Sequence, residues 1–185
     1  NAAVTCSAPN TTVTLTAVNG VGTLQYETIA PSVVILGKQT SNSFAGLATG
    51  GYTFKVTDAN GCYYTELHTI NAVTPIAITG NVDLNVDCKG NSTGKATFSI
   101  SGNATVGGYT FALTAGTLGT GTLTKTGNTL TLANVTAGTY KVQVTDSATG
   151  CVKDVPVTIT QPAAVLAIAT ATASHVNCND NNSNI

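Results

Sequence analysis

Five cysteines are the residues best suited to chemistry in this 185-residue sequence. They form no CxxC pair and have no histidine-rich spacing, so they favour disulfides over a zinc site. Disulfides persist in oxidising compartments, and the sequence therefore predicts an extracytoplasmic protein. The cysteines are Cys6, Cys62, Cys88, Cys151 and Cys178.

Two regular pairings are compatible with these positions. One joins Cys6 to Cys62 and Cys88 to Cys151, and leaves Cys178 for a partner farther along the chain. The other joins Cys62 to Cys88 and Cys151 to Cys178, and leaves Cys6 for a preceding partner. The first is favoured because each copy of the repeat described below would carry its own disulfide. Sequence alone does not fix connectivity.

Glu66 and His68 alternate on one predicted strand, and such a pair could transfer protons or bind a metal. The matching positions in the second copy of the repeat are Val155 and Val157, so no shared chemistry is implied. A metal would need more ligands, and His175 is the only other histidine. The pattern favours an exposed or bulged edge strand.

Two segments resemble fragments of calcium loops: "DANG" at Asp58–Gly61 and "CNDNNSN" at Cys178–Asn184. Neither has the several acidic ligands and the distal glutamate of a full loop, so turn formation explains both. No GxSxG motif and no glycine-rich phosphate loop occurs. The sequence therefore predicts a protein that is not an enzyme and that uses no metal or cofactor.

Charge is scarce in this chain. Charged residues make up 8% of the sequence, against about 25% in average soluble proteins. All 7 basic residues are lysines and the net charge is -1, which argues against nucleic-acid binding because arginine dominates phosphate and base recognition. No apolar run approaches the roughly 18 residues of a membrane span, so we expect no membrane insertion of this segment.

An internal repeat organises the sequence. The segment "GGYTFKVTDANGC" ending at Cys62 returns as "AGTYKVQVTDSATGC" ending at Cys151, 89 residues later. A third copy begins near the end of the chain, where "HVNCN" follows "NVDCK" by 90 residues. Other landmarks recur at offsets of 82 to 88 residues: Cys6 and Cys88, Tyr26 and Tyr109, and Tyr52 and Tyr140.

Each copy has apolar residues at every second position. In "YTFKVTD", Tyr52, Phe54 and Val56 alternate with polar residues, which predicts a strand with one buried face. Turn residues then precede the return strands "CYYTELHTI" and "CVKDVPVTI". Pro156 indicates that the second return strand lies at a sheet edge, because proline cannot donate to a central ladder.

The predicted fold class is all-β, with tandem immunoglobulin-like antiparallel β-sandwich repeats, because short strands recur about every 8 to 12 residues without a helical period. Proline follows both return strands, at Pro75 and Pro162. We therefore predict repeat 1 at residues 1–74, repeat 2 at residues 75–161, and the first strand and turn of a third, incomplete repeat at residues 162–185. The junctions are short, which predicts a semi-rigid rod.

The motif GxYxxxVTDaxGC, followed by "TITQP" at Thr158–Pro162 and a VxC with an Asn-rich turn, resembles the SprB-type repeat of the large surface adhesins of gliding Bacteroidota. The match covers residues 86–162 well and repeat 1 more loosely, where "TINAVTP" replaces "TITQP". The resemblance implies export by the type IX route and display as a cell-surface filament. It also implies O-glycosylation of "DSA", with Ser147 as the modified residue.

The sequence thus predicts a structural repeat segment of an extracellular surface adhesin or filament that supports adhesion or gliding. Its expected partners are adjacent repeats of the same chain, other filament strands or surface polysaccharide. One alternative is a carbohydrate-binding accessory module of a secreted enzyme, for which Tyr63 and Tyr64 are the one hint. Another is a self-assembling fimbrial subunit that donates Ala164–Val176 as a strand to the next molecule.

Overall fold

The computed structural model describes residues 3–31 and 36–168. These ranges contain strands and no helix, so no described segment is a helix that could cross a membrane. The predicted all-β fold is confirmed. The strands are β1 Thr11–Thr14, β2 Gln25–Ala30, β3 Ser43–Leu47, β4 Gly50–Thr57, β5 Tyr63–Ile70, β6 Ala77–Leu84, β7 Gly94–Ser101, β8 Tyr109–Ala115, β9 Thr122–Thr126, β10 Thr129–Val135, β11 Gly138–Asp146 and β12 Val152–Ile159.

Repeat 2 contains β6 to β12 in two antiparallel sheets. One sheet has the order β6-β7-β10-β9 and the other has the order β12-β11-β8. The two sheets pack face to face, because β12 lies against β6 and apolar residues from both sheets share one core. Phe98 of β7, Leu132 of β10 and Val142 of β11 are fully buried in this core.

Repeat 1 contains β1 to β5, again in two antiparallel sheets. β1 pairs with β3, and the other sheet has the order β2-β4-β5. By sequence offset, β1 and β3 correspond to β7 and β10, whereas β2, β4 and β5 correspond to β8, β11 and β12. The described part of repeat 1 contains no strand that corresponds to β6 or β9.

Each repeat has its own hydrophobic core. In repeat 1 the Phe44 and Phe54 rings contribute, with centroids 5.0 Å apart. The core of repeat 1 consists of Val4, Val13, Tyr26, Phe44, Leu47, Tyr52, Phe54 and Ile70. The larger core of repeat 2 is built from Ile76, Ile78, Val86, Ala96, Phe98, Ile100, Tyr109, Leu130, Leu132, Val135, Tyr140, Val142, Val144, Cys151, Val157 and Ile159.

The predicted alternation of buried and exposed residues is confirmed in both copies. Tyr140, Val142 and Val144 of β11 are buried, as are Tyr52 and Phe54 of β4. The prediction for Pro156 is also confirmed, because β12 lies at the edge of its sheet and β11 is its one neighbour among the described strands. Residues 162–168 form no strand, and the remainder of the predicted third repeat, including Cys178, lies outside the described residues.

Candidate functional site

The junction between the repeats carries a disulfide, which joins Cys6 of repeat 1 to Cys151 of repeat 2. The two Cα atoms are 4.9 Å apart although the cysteines are separated by 145 residues in sequence. The backbone N–H of Cys6 also donates to the carbonyl oxygen of Thr149 at 2.9 Å. Repeat 1 is therefore bonded directly to the turn between β11 and β12 of repeat 2.

This bond corrects both predicted pairing schemes. Cys151 pairs with neither Cys88 nor Cys178, and the favoured pair of Cys6 with Cys62 does not form. Within the described residues Cys62 and Cys88 are exposed free thiols. Cys178 lies outside the described residues.

The physical reason is the distance between the two ends of a sandwich. Val86, two residues before Cys88, donates its N–H to the carbonyl oxygen of Thr160 at 2.9 Å, just beyond the end of β12. Cys151 precedes the start of β12, about 25 Å away for a strand of this length. A disulfide requires Cα atoms within about 7 Å, so Cys88 and Cys151 of one repeat cannot meet. The corresponding turns of two consecutive repeats do meet. Cys6, the counterpart of Cys88 in repeat 1, lies beside Cys151 of repeat 2.

Apolar packing accompanies the disulfide at the junction. Val73, in the segment between β5 and β6, is partly buried and packs against the cores of both repeats. Ile76, three residues farther along the chain, is buried in the core of repeat 2. The connection between the repeats is therefore a packed element and not a free linker.

The aspartate of the repeated "VTD" motif holds the turn that follows it. Asp146 is buried, and its carboxylate accepts the N–H of Ala148 at 3.1 Å and both the N–H and the hydroxyl of Thr149 at 2.7 Å. It also accepts the N–H of Ala104 at 3.3 Å, from the loop between β7 and β8. Asp146 thus clamps two loops together at the end of the sandwich that faces the junction.

Asp58 makes the equivalent contacts in repeat 1. Its carboxylate accepts the N–H groups of Asn60 and Cys62, each at 2.9 Å, and that of Val21 at 3.2 Å. Backbone N–H groups thus occupy the oxygens that a calcium ion would need, which agrees with the turn interpretation of "DANG". The second calcium-like segment, Cys178–Asn184, lies outside the described residues.

Burial of Asp146 would by itself raise the pKa of its carboxyl group. The hydrogen bonds from Thr149, Ala104 and Ala148 favour the carboxylate more strongly, and the pKa lies below the ordinary value of 3.8. The folded state therefore holds Asp146 as an anion. Sequence analysis missed this role, although the repetition of the aspartate before each turn was the available signal.

Two tyrosines make another contact that the sequence did not reveal. The Tyr52 hydroxyl donates to the carbonyl oxygen of Ala48 at 3.0 Å, and the Tyr140 hydroxyl donates to that of Thr136 at 2.9 Å. This hydrogen bond at the start of β4 and β11 is the tyrosine corner, and the sheet orders of repeat 2 match those of constant-type immunoglobulin domains. The fold is immunoglobulin-like.

Glu66 and His68 lie on β5, an edge strand of the described β2-β4-β5 sheet, as the structural interpretation predicted. Glu66 is exposed and His68 is half-buried. Across the described residues, no cluster of three or more histidine, cysteine, aspartate or glutamate side chains could hold a metal. Among the described residues, Glu66 and His68 are thus not part of a group large enough to hold a metal.

Both residues line a groove of about 540 Å³ between β1 and β5, which we call the β1–β5 groove. Residues 13–18 form one wall, and Tyr64 joins Glu66 and His68 on the other. Tyr26, Phe54 and Val56 complete its lining. Sequence analysis gave no sign of this groove, because its walls come from segments about 50 residues apart.

Tyr63 and Tyr64 do not form an aromatic row. Consecutive residues of a strand point to opposite faces, and the two side chains have different neighbours. Tyr64 lines the β1–β5 groove, whereas the Tyr63 ring lies under the Lys55 ammonium, 4.8 Å from the ring centroid. This arrangement gives the carbohydrate-binding alternative no flat aromatic surface on β5.

Ser147 lies exposed in the turn after Asp146. Its N–H donates to the carbonyl oxygen of Gly108 at 3.0 Å, so the backbone is held while the side chain is open to solvent. Modification of Ser147 stays a prediction.

No family model and no curated protein matches this chain. Solved structures with a similar fold include the D00-D0 domain of intimin, at 15% identity and TM-score 0.40 over 82% of this chain and 92% of that one. The bacterial integrin-binding protein invasin matches at 18% identity and TM-score 0.30, over 86% and 37%. Cadherin domains 1–4 of protocadherin gamma B7 match at 7% identity and TM-score 0.36, over 75% and 40%. Similarity at this level says nothing about function.

Proposed function

We propose that this chain is a structural segment of an extracellular surface adhesin or filament, in which immunoglobulin-like repeats follow one another and transmit tension. The observation that carries the proposal is the Cys6–Cys151 disulfide, which ties consecutive repeats together across their junction. Val73 adds apolar packing at the same place. A covalent bond together with a packed connection supports a semi-rigid rod.

The disulfide changes the path that a pulling force takes through the molecule. Tension applied to the two ends of the chain enters the bond at Cys6 and leaves it at Cys151. The residues between them form a closed loop, so most strands of both sandwiches are not extended while the bond is intact. Such an arrangement suits a protein that spans a distance from the cell surface and resists extension under tension.

The finer assignment follows from the resemblance to SprB-type repeats. On this proposal residues 1–74, 75–161 and 162–185 are successive units of a longer cell-surface filament exported by the type IX route, which supports adhesion or gliding motility without enzymatic activity. Adjacent repeats are the first partners, and other filament strands or surface polysaccharide are further ones. The scarcity of charge, 8% of residues, supports a shaft that does not attract ions or nucleic acids strongly.

Single-molecule force spectroscopy tests the proposal. The chain is pulled from both ends in a background in which Cys62, Cys88 and Cys178 are replaced by serine, and is compared with a variant that also carries Cys6→Ser and Cys151→Ser. The bond encloses a sequence separation of 145 residues, so its loss releases roughly 50 nm of additional contour length at about 3.6 Å per residue. Equal contour lengths for the two proteins would contradict a force path through the disulfide.

A further inference from the structure

Each repeat has two cysteines, and the disulfide at the junction uses one from each repeat. Cys6 precedes β1, and Cys151 ends the turn between β11 and β12. Cys88 is the counterpart of Cys6 at an offset of 82, and Cys62 is the counterpart of Cys151 at an offset of 89. We call Cys6 and Cys88 the loop cysteines, and Cys62 and Cys151 the turn cysteines. Each exposed thiol is thus equivalent to a cysteine whose bond the structure shows.

The turn that carries Cys62 is built like the turn that carries Cys151. Asp58 donates its backbone N–H to the carbonyl oxygen of Cys62 at 2.9 Å, and Asp146 donates to that of Cys151 at 2.9 Å. The carboxylate of each aspartate also accepts N–H groups of its own turn. The aspartates therefore hold both turn cysteines at the same end of their repeats.

Cys88 lies at the other end of repeat 2, in the loop between β6 and β7. Val86, two residues before it, is buried in the core of repeat 2 and donates its N–H to Thr160, just after β12. Val4, two residues before Cys6, is likewise buried in the core of repeat 1. The two loop cysteines therefore leave their sandwiches at equivalent points.

The segment that leaves repeat 2 begins beside Cys88. The N–H of Gly90 donates to Oε1 of Gln161 at 2.9 Å, and Nζ of Lys89 donates to the carbonyl oxygen of Ala163 at 2.9 Å. In repeat 1 the equivalent connection leads into repeat 2, whose turn bonds to the loop cysteine of repeat 1. A repeat attached to this segment in the same way would present its turn to Cys88.

The residues after this segment have the apolar pattern with which repeat 2 opens. Leu166 and Ile168 correspond at an offset of 90 to Ile76 and Ile78. Ile76 and Ile78 are buried in the core of repeat 2. The pattern thus indicates the register in which a further sandwich joins, with position 166 in the place of position 76.

We propose that the two cysteines of each repeat bond to two different neighbours, so that one disulfide closes every junction of a longer array. The loop cysteine Cys88 bonds to the turn cysteine of a following immunoglobulin-like repeat. The turn cysteine Cys62 bonds to the loop cysteine of a preceding one. This inference rests on the proposed function as a segment of tandem repeats, and it adds the covalent connectivity of the array.

Each of these bonds forms by oxidation of two thiols. Glutathione disulfide accepts two electrons and two protons from the two cysteines and leaves as two molecules of reduced glutathione, while a sulfur–sulfur bond forms. The fold selects the partner, because a disulfide requires Cα atoms within about 7 Å. Cys88 and Cys151 of one repeat lie a strand length apart, so the bond forms between neighbours.

The test extends the 185-residue chain by one repeat. Residues 76–185 are joined after residue 165, so that a second copy of Ile76 takes the place of Leu166 and a second copy of repeat 2 follows the first. The protein is oxidised with glutathione disulfide, and the remaining thiols are alkylated. Its proteolytic peptides are then mapped without reduction.

We expect two disulfides in the extended chain. Cys6 should be linked to the first Cys151, and Cys88 of the first copy should be linked to the second Cys151. Cys62 should be alkylated, because this test chain supplies no repeat before it. In the 185-residue chain, the matched control, Cys88 should be alkylated as well.

A second control replaces the second Cys151 by serine in the extended chain. Cys88 should then be alkylated while the bond between Cys6 and the first Cys151 stays intact. An alkylated Cys88 in the extended chain without this substitution overturns the proposal, provided that the added repeat is folded. Linkage of Cys88 to Cys62 or to Cys178 overturns it too, because neither is the turn cysteine of a following repeat.

Folding of the added repeat is verified by resistance to protease and by a β-sheet circular dichroism signal per residue equal to that of the 185-residue chain. A further measurement needs no added repeat. The protein is isolated from its natural source with thiols blocked during extraction, and its peptides are mapped in the same way. Alkylated Cys62 and Cys88 in that protein overturn the proposal.

These outcomes are separate from the test of the proposed function. The force experiment measures the Cys6–Cys151 bond with Cys62, Cys88 and Cys178 replaced by serine, so it does not depend on the further bonds. If Cys88 stays free but the contour lengths differ as expected, the tension-bearing role holds and the connectivity proposed for the array fails. If Cys88 pairs but the contour lengths are equal, the connectivity holds and the force path fails.

Discussion

Cys6 and Cys151 come within 4.9 Å of one another, Cα to Cα, across the boundary between two repeats that each have a separate core. Their proximity depends on both sandwiches being folded, because Cys6 precedes β1 and Cys151 lies at the turn between β11 and β12. The bond therefore couples the stability of one repeat to that of the next. Repeat proteins commonly gain stability from such neighbour contacts.

Replacement of Cys151 by serine should destabilise the whole chain. The bond closes a loop of 145 residues, for which the chain-entropy account gives roughly 5 kcal/mol. Urea unfolding under non-reducing conditions measures the loss. Cys62→Ser removes an exposed thiol that takes no part in this bond and should leave the midpoint unchanged. Equal midpoints for Cys151→Ser and the unsubstituted chain would show that the bond contributes nothing.

Tyr140→Phe should destabilise repeat 2 by about 1 to 2 kcal/mol, because it removes the hydroxyl that donates to Thr136 and leaves a partly buried carbonyl without that donor. Equilibrium denaturation followed by circular dichroism is the measurement. Tyr64→Phe on the exposed surface of β5 is the matched control. A loss in the control as large as that in Tyr140→Phe would refute the contribution of the tyrosine corner.

Asp146 should make the stability of repeat 2 depend on pH in the acid range. Its native pKa is lowered by hydrogen bonds that outweigh burial, so its contribution is present above the unfolded-state value of about 3.9 and disappears as the pH falls through the native value. Asp146→Asn should be less stable at neutral pH and should lose less stability between pH 5 and pH 2. The measurement is the urea midpoint at each pH.

Asp154→Asn provides the comparison for that experiment. The pKa of Asp154 is also lowered, chiefly by the hydrogen bond from Lys141, but this pair lies at the exposed surface of β11 and β12. Exposed ion pairs contribute little to stability, and we expect a much smaller change in the acid dependence. If the two variants have the same pH profile, the hydrogen bonds to Asp146 contribute no more to acid-dependent stability than the exposed Lys141–Asp154 pair does.

Gly80→Val should destabilise the packing of β6 on β12. A Cβ atom at position 80 would lie 2.5 Å from Val157 and 3.1 Å from the Phe98 ring, so the strand must shift outward. We expect a loss of about 1 to 3 kcal/mol, typical of overpacking, in thermal or urea unfolding. Thr79→Ala, at the exposed neighbouring position, serves as the control and should have little effect.

Local patterns in the sequence were sufficient for much of the fold. The alternation in "YTFKVTD" predicted the buried face of β4, and Pro156 predicted that β12 lies at a sheet edge. Both predictions depend only on residues of a single strand. The alternation of apolar and polar residues indicates which face is buried, and a proline indicates an edge because it has no N–H to donate to a neighbouring strand. The repeat itself was equally visible, because equivalent residues recur at nearly constant offsets.

Other features could not be predicted because they join distant segments. The sequence suggested that Asp58 and Asp146 form turns, but the hydrogen bonds to Val21 and Ala104 depend on two loops meeting at one end of a sandwich. The β1–β5 groove likewise requires two strands from opposite sheets. No periodicity within either strand encodes that proximity.

Patterns along the chain were enough to show that this protein is built from repeated β units and that its cysteines are suited to disulfides. Which cysteines meet was decided by the tertiary structure alone. Within one repeat the turns that carry Cys88 and Cys151 lie at opposite ends of the sandwich, one strand length apart. The corresponding turns come together only where one repeat abuts the next, and there Cys6 bonds to Cys151.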